Sequence, residues 1–187
     1  MVTKKIAQTL KEQRVLIFNS SKPEIAPLLA QMGIDEAHLK SGEELYNKVI
    51  ALSDQQKKED QEASLAFDNS FEAKSNCVIR CDHNRSIIKM ASRKNPDLQQ
   101  RIKMFIPKER NIEEWINQTL NFYNLVLNEA SFLASISKFG ITTESLTTDK
   151  NDLEALKTLR NEALAETGQS QEATRLRNVK MDDLEDY

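Results

Sequence analysis

The chain is poor in the residues that interrupt a backbone, with four glycines and four prolines among 187 residues. That scarcity excludes the turn-rich architectures of short strands and favours long uninterrupted helices. Aromatic residues make up only 6%, and no run alternates β-branched with polar residues, so no strand is expected. The two cysteines, Cys77 and Cys81, lie four positions apart. On one helix they cannot staple distant segments, which excludes a disulfide framework and points to reduced thiols in a cytoplasmic setting. No apolar run approaches the roughly 18 residues that a membrane span requires. At the N-terminus, Lys4 and Lys5 are followed by Gln8, Lys11, Glu12 and Arg14, which is not the apolar core of a signal peptide.

Catalytic signatures are missing too. The sequence holds no Gly-rich phosphate loop, no Gly-x-Ser-x-Gly elbow and no His-Glu-x-x-His. Its carboxylates, among them Glu59-Asp60, Asp149, Asp152 and Asp182-Asp183, never fall in the Glu-x-x-His spacing of bundle-core di-iron sites. No catalytic residue, cofactor-binding residue, metal ligand or cofactor is therefore expected. The formal net charge of -3 argues neither for nor against nucleic acid.

What is present is Leu, Ala, Lys, Glu, Gln and Asn, residues that lose little by entering a helix or that solvate its outer face. Laid on itself with a shift of about 107 positions, the stretch Leu29 to Leu52 falls over Ile136 to Leu159. Met32-Gly33-Ile34 then meets Phe139-Gly140-Ile141, and Leu39, Tyr46, Val49 and Leu52 meet Leu146, Leu153, Leu156 and Leu159. This predicts a single all-helical domain over 1–187 with two internal copies, one over about 14–105 and one over about 112–187. The second copy breaks off in mid-helix at Tyr187, opposite Arg80, so the sequence predicts a longer native product.

Each copy carries the same punctuation. Gly33 and Gly140 stop a helix, because glycine alone takes the left-handed conformation without a steric penalty. Asp35 and Thr142 cap the next one, with Ile34–Leu39 and Ile141–Leu146 as hydrophobic staples. Ser41-Gly42-Glu43-Glu44 has the spacing of a further capping box, with Thr148 at the matching place.

From Gly42 to Asn95 there is neither Gly nor Pro. A seam with heptad spacing runs through Leu45, Val49, Leu52, Gln56, Glu59, Ala63, Ala66, Ser70, Ala73 and Cys77. Its small side chains allow close helix approach. One long helix is predicted here, with a hairpin near Asp54–Gln61 as the alternative, and Asn95-Pro96 ends it.

The remaining helices are expected over Thr3–Asn19, through Pro23 to Met32 with a kink or break, over Asn111–Lys138, over Asp149–Glu166, and from Ser170 onward. Gly168 separates the last two, and Phe105–Arg110 connects the copies.

Three candidates for chemistry stand out. Cys77-x3-Cys81-x-His83 has soft ligands, but His83 lies about 200° round the helix from Cys81. A zinc site would also have to recruit His38, the other histidine of the chain; buried seam cysteines are the simpler reading. Arg80, Arg85, Lys89, Arg93, Lys94, Arg101, Lys103, Lys108 and Arg110 face only Asp82, Asp97 and Glu109. Such a stripe can neutralise phosphates, although no aromatics interleave it and basic residues late in a helix also suit its dipole. Trp115, the single tryptophan, opens the apolar face of a helix and reads as core or interface.

The sequence thus predicts an all-α fold: an elongated antiparallel helical bundle, four-helix-bundle-like, built of two repeated units about a pseudo-twofold axis. The expected role is a non-catalytic scaffold or interaction module, forming a homo-oligomer or binding a protein partner through its apolar seams, with no membrane association. Nucleic-acid association through Arg80 to Arg110 is the alternative, and a metal- or ligand-binding bundle the second.

Overall fold

The computed structural model describes residues 2–103 and 111–187, and among these every regular element is a helix. In order they are α1 (Val2–Ser20), α2 (Ala26–Gln31), α3 (Glu36–Ala91), α4 (Pro96–Lys103), α5 (Ile112–Leu127), α6 (Ala130–Ile136) and α7 (Thr143–Glu185). Short 3-10 turns follow α3 and α6. The expected connector Phe105–Arg110 lies outside the described residues.

Two helix stops fall at the expected glycines. Gly33 has φ 88° and Gly140 has φ 79°, and the two long helices open 107 positions apart at Glu36 and Thr143. Asp35 Oδ1 accepts the His38 N–H at 2.8 Å. Thr142 and Ser145 cap reciprocally, Thr142 Oγ1 accepting the Ser145 N–H at 3.2 Å while Ser145 Oγ accepts the Thr142 N–H at 3.1 Å. A Cβ at either glycine meets open space, so only the backbone penalty opposes substitution. Gly33→Val is expected to cost about 1–2 kcal/mol, seen as a lower urea midpoint at unchanged slope; equal midpoints would reject the left-handed stop.

Several boundaries differ from expectation. The capping signal at Ser41 is not used, because Asp35 has already opened α3 and the N–H groups near Ser41 are satisfied within the helix. Thr148 is likewise internal to α7, its hydroxyl donating to the Glu144 carbonyl at 3.0 Å. α3 runs unbroken for 56 residues, so no hairpin forms at Asp54–Gln61. Its seam explains why: every seam residue from Leu45 to Cys77 is buried or half-buried, while most positions between are exposed.

Gly168 does not divide the last helix either, and α7 is continuous for 43 residues. The glycine costs about 1 kcal/mol relative to alanine, which the buried positions Ala163, Ala173, Met181 and Leu184 on either side offset. Pro23 and Pro27 do break the chain: a turn separates α1 from α2, and Pro27 sits in the first turn of α2, where its missing N–H costs nothing. The single helix expected over Asn111–Lys138 is two. Glu129 takes an extended conformation (φ -116°, ψ 100°), and the turn there keeps Phe132 and Ile136 in the same core as Trp115 and Ile116.

By packing, the chain divides into two compact units. Unit 1, Met1–Ala63 with Glu166–Tyr187, holds α1, α2, the first part of α3 and the last part of α7. Val49, Met181 and Leu184 form its core with Ile6, Leu10, Leu45 and Tyr46 around them. The two long helices run antiparallel within it. Arg177 Nη1 donates to Gln56 Oε1 at 2.8 Å and Ser170 Oγ to Asp60 Oδ1 at 2.5 Å. Tyr187 closes the end, stacked on His38 at 4.6 Å with its ring over Gly42 and its hydroxyl on the His38 carbonyl.

Unit 2, Ser64–Ala165, is one continuous segment. Its core is larger and gathers Cys77, Cys81 and Ile88 of α3, Ile102 of α4, Trp115, Ile116, Phe122, Tyr123 and Val126 of α5, Phe132 and Ile136 of α6, and Leu146, Leu153 and Leu156 of α7.

Candidate functional site

Unit 2 contains the densest polar chemistry of the described residues, and one stripe of α3 organises it. Cys77, Arg80, Cys81, Asn84, Arg85 and Ile88 recur every three or four residues, so they share a face. That face meets Thr119 and Tyr123 of α5 and Asp149 and Asp152 in the first turns of α7.

Asn84 is the hub. It is 6% exposed, and its Nδ2 donates to the Tyr123 hydroxyl at 2.9 Å and to Asp149 Oδ2 at 2.6 Å. The Tyr123 hydroxyl in turn donates to Cys81 Sγ at 3.5 Å. Arg80 completes the ring of partners from outside, its Nε 3.0 Å from Asp149 Oδ1 and its Nη2 2.5 Å from Asp152 Oδ2. Arg85 extends the network, donating from Nη2 to Thr119 Oγ1 at 2.8 Å, with its guanidinium 5.5 Å from the centre of the Phe122 ring. That cation–π contact holds a group whose Nε is buried without a hydrogen-bond partner.

This arrangement holds protons rather than releasing them. Burial pushes the Cys81 thiol up to about 11 and raises the Cys77 thiol as well. Burial also raises the Tyr123 phenol, with Cys81 adding to it. Near neutral pH neither sulfur is a thiolate and the phenol is not a base, so the network offers no activated nucleophile. What it does is tie α3, α5 and α7 together through the bonds of Asn84 and Arg80, and α3 to α5 through Arg85.

The sign of the resulting pH dependence is definite. The native state favours the protonated Cys81 thiol, so that contribution to stability is complete below the ordinary thiol value of 9.0 and is lost as pH rises through about 11. Thermal stability is expected to fall between these values, and less steeply in Cys81→Ala. Both cysteines are also expected to resist a thiol reagent at pH 8 until urea unfolds the chain; rapid labelling of two native thiols would contradict this.

The other sequence candidates are dispersed. Cys77 and Cys81 are free and buried, His83 is exposed on another side of α3, and His38 belongs to unit 1, stacked on Tyr187. They do not assemble a zinc site. The basic stretch is partly spent internally: Arg80 on Asp149 and Asp152, Arg85 on Asp82 at 3.6 Å, and Arg101 on Glu129 at 2.5 Å. The Arg101 hydrogen bond, with one from Ser131, holds the Glu129 carboxyl below its usual range. Lys89 and Arg93 are exposed, whereas Lys108 and Arg110 lie outside the described residues. Trp115 is 4% exposed, in the core of unit 2.

Sequence reasoning missed the Asn84 network, although a polar residue in line with Cys77, Cys81 and Ile88 was its visible signal. Nor did it find Glu59, Glu62 and Glu166, whose oxygens lie within 4.8 Å of one another in unit 1. Glu62 already meets Lys58 at 3.5 Å, and solvated carboxylates account for the group.

Among the described residues no helix is long and apolar enough to cross a membrane. No protein-family model, no curated protein and no solved structure matches the chain.

Proposed function

We propose that the protein is a non-catalytic helical scaffold or protein-interaction module built from two sequence copies, about 14–105 and about 112–187. One observation carries this reading: the polar groups around Asn84 point inward and bond mainly to one another, while large apolar side chains point out. Val15, Leu16 and Phe18 of α1, Leu28 and Met32 in and after α2, and Leu65, Phe67, Phe71 and Ile79 of α3 are exposed. Phe67 and Phe71, four residues apart, share a face of α3, and contiguous apolar patches mark protein contact surfaces. The expected association through the α3 seam gives way to these outer faces, because the seam is occupied within the units. A cytoplasmic setting belongs to the same reading, resting on two thiols that one helix holds four residues apart.

Nucleic-acid association is less well supported, since Arg80, Arg85 and Arg101 already have internal partners. Affinity capture from the native cell after chemical cross-linking tests the proposal. A stoichiometric protein partner, or a second copy of this chain, is expected. Retention of RNA or DNA that weakens by orders of magnitude between about 50 and 200 mM salt, with no protein captured, would reject it.

A further inference from the structure

We propose that the groove between α1 and α3 in unit 1 is the contact face of a homodimer. This rests on the interaction-module reading and names its partner, a second copy of this chain. The groove has a volume of about 550 Å³ and lies between the second half of α1 and the Glu43–Ile50 stretch of α3. Ile17, Tyr46 and Ile50 form the apolar part of its lining, Ser21 and Asn47 add polar groups, and Phe18 stands at its edge, 70% exposed. In unit 2 the face of α5 that carries Phe122 and Tyr123 is covered, with Asn84 on Tyr123 and Arg85 on Phe122. In unit 1 the second half of α1 is left open.

The charges on the walls select the occupant. Arg14 lies on the α1 wall and Glu43 on the α3 wall, and among the described residues neither takes part in an ion pair. A polyanion or an anionic membrane would need an excess of cations here, and the two walls cancel. A face with a cation on one side and an anion on the other is complementary to its own image turned by a twofold axis. Arg14 of each copy then meets Glu43 of the partner subunit, and every contact forms twice. The helix that enters belongs to the same chain. α1 itself carries Phe18 outward, and an aromatic anchor seated in an apolar pocket is where binding energy concentrates.

Sedimentation equilibrium of the full chain from about 1 to about 200 µM tests this. The expected result is a shift from 21.4 kDa toward twice that mass with rising concentration. Phe18→Glu is expected to stay monomeric, with its far-UV circular dichroism and melting temperature unchanged. Arg14→Glu and Glu43→Arg are each expected to weaken association about tenfold or more, and the double charge swap to restore it. A single 21.4 kDa species at all concentrations overturns the proposal. So does a dimer indifferent to Phe18→Glu and to the charge swap. A monomer that captures a different protein in the cross-linking experiment would sink this inference alone and leave the interaction-module reading standing.

Discussion

Tyr123→Ala is expected to lower the stability of the protein by about 3–5 kcal/mol, the largest effect of any single change considered. Tyr123 has no exposed surface, its ring meets Phe122 edge-on at 5.6 Å, and its hydroxyl links Asn84 to Cys81. Truncation removes apolar contact on every side, and backbone collapse around a residue held by three helices is limited. Tyr123→Phe separates the two contributions. It keeps the ring and removes only the hydroxyl, so about 1–2 kcal/mol is expected, because Asn84 retains Asp149. Urea denaturation followed by far-UV circular dichroism measures both. Equal costs for the two variants would mean that the ring contributes nothing beyond its hydroxyl, contrary to its burial.

Asn84→Leu is the second large effect, at about 2–3 kcal/mol. Leucine is close to asparagine in size and suits a helix better, so propensity alone predicts a gain. The loss comes from what is abandoned: the Tyr123 hydroxyl, which is buried, and Asp149 Oδ2, which is largely buried, each lose a donor. Asp149 keeps Arg80, which limits the cost. Combining Asn84→Leu with Tyr123→Phe should cost less than the sum of the two, since each removes part of one hydrogen-bond chain. Strict additivity would show that the contacts act independently.

These residues also show where sequence reading reaches and where it stops. The α3 seam was legible because helical periodicity is local: Val49, Leu52, Ser70 and Cys77 are buried as their spacing requires. Gly33 and Gly140 were legible because a positive φ has a residue signature. The Ser41 box misled because a cap motif says nothing about whether an upstream residue has already capped the helix. The turn at Glu129 was not legible at all, since it is imposed by the need to bring Phe132 and Ile136 back to the core. Of the Asn84 network, only a polar residue in line with the seam was legible, because its partners lie 39 and 65 positions away in sequence. Nothing local specifies such a pairing.

The division of the chain into its two units has a consequence for synthesis on the ribosome. Unit 2 is a single stretch, Ser64–Ala165, whereas unit 1 is assembled from Met1–Ala63 and Glu166–Tyr187. Met1–Ala63 therefore emerges before unit 2 and is completed after it. Until Met181 and Leu184 arrive to cover Val49, the nascent α1 and the start of α3 present their apolar stripe to solvent or to a holdase, while the whole of unit 2 can already fold downstream. The order of birth and the order of completion are reversed. A stalled chain ending near Ala165 would carry one folded unit behind one exposed amphipathic half.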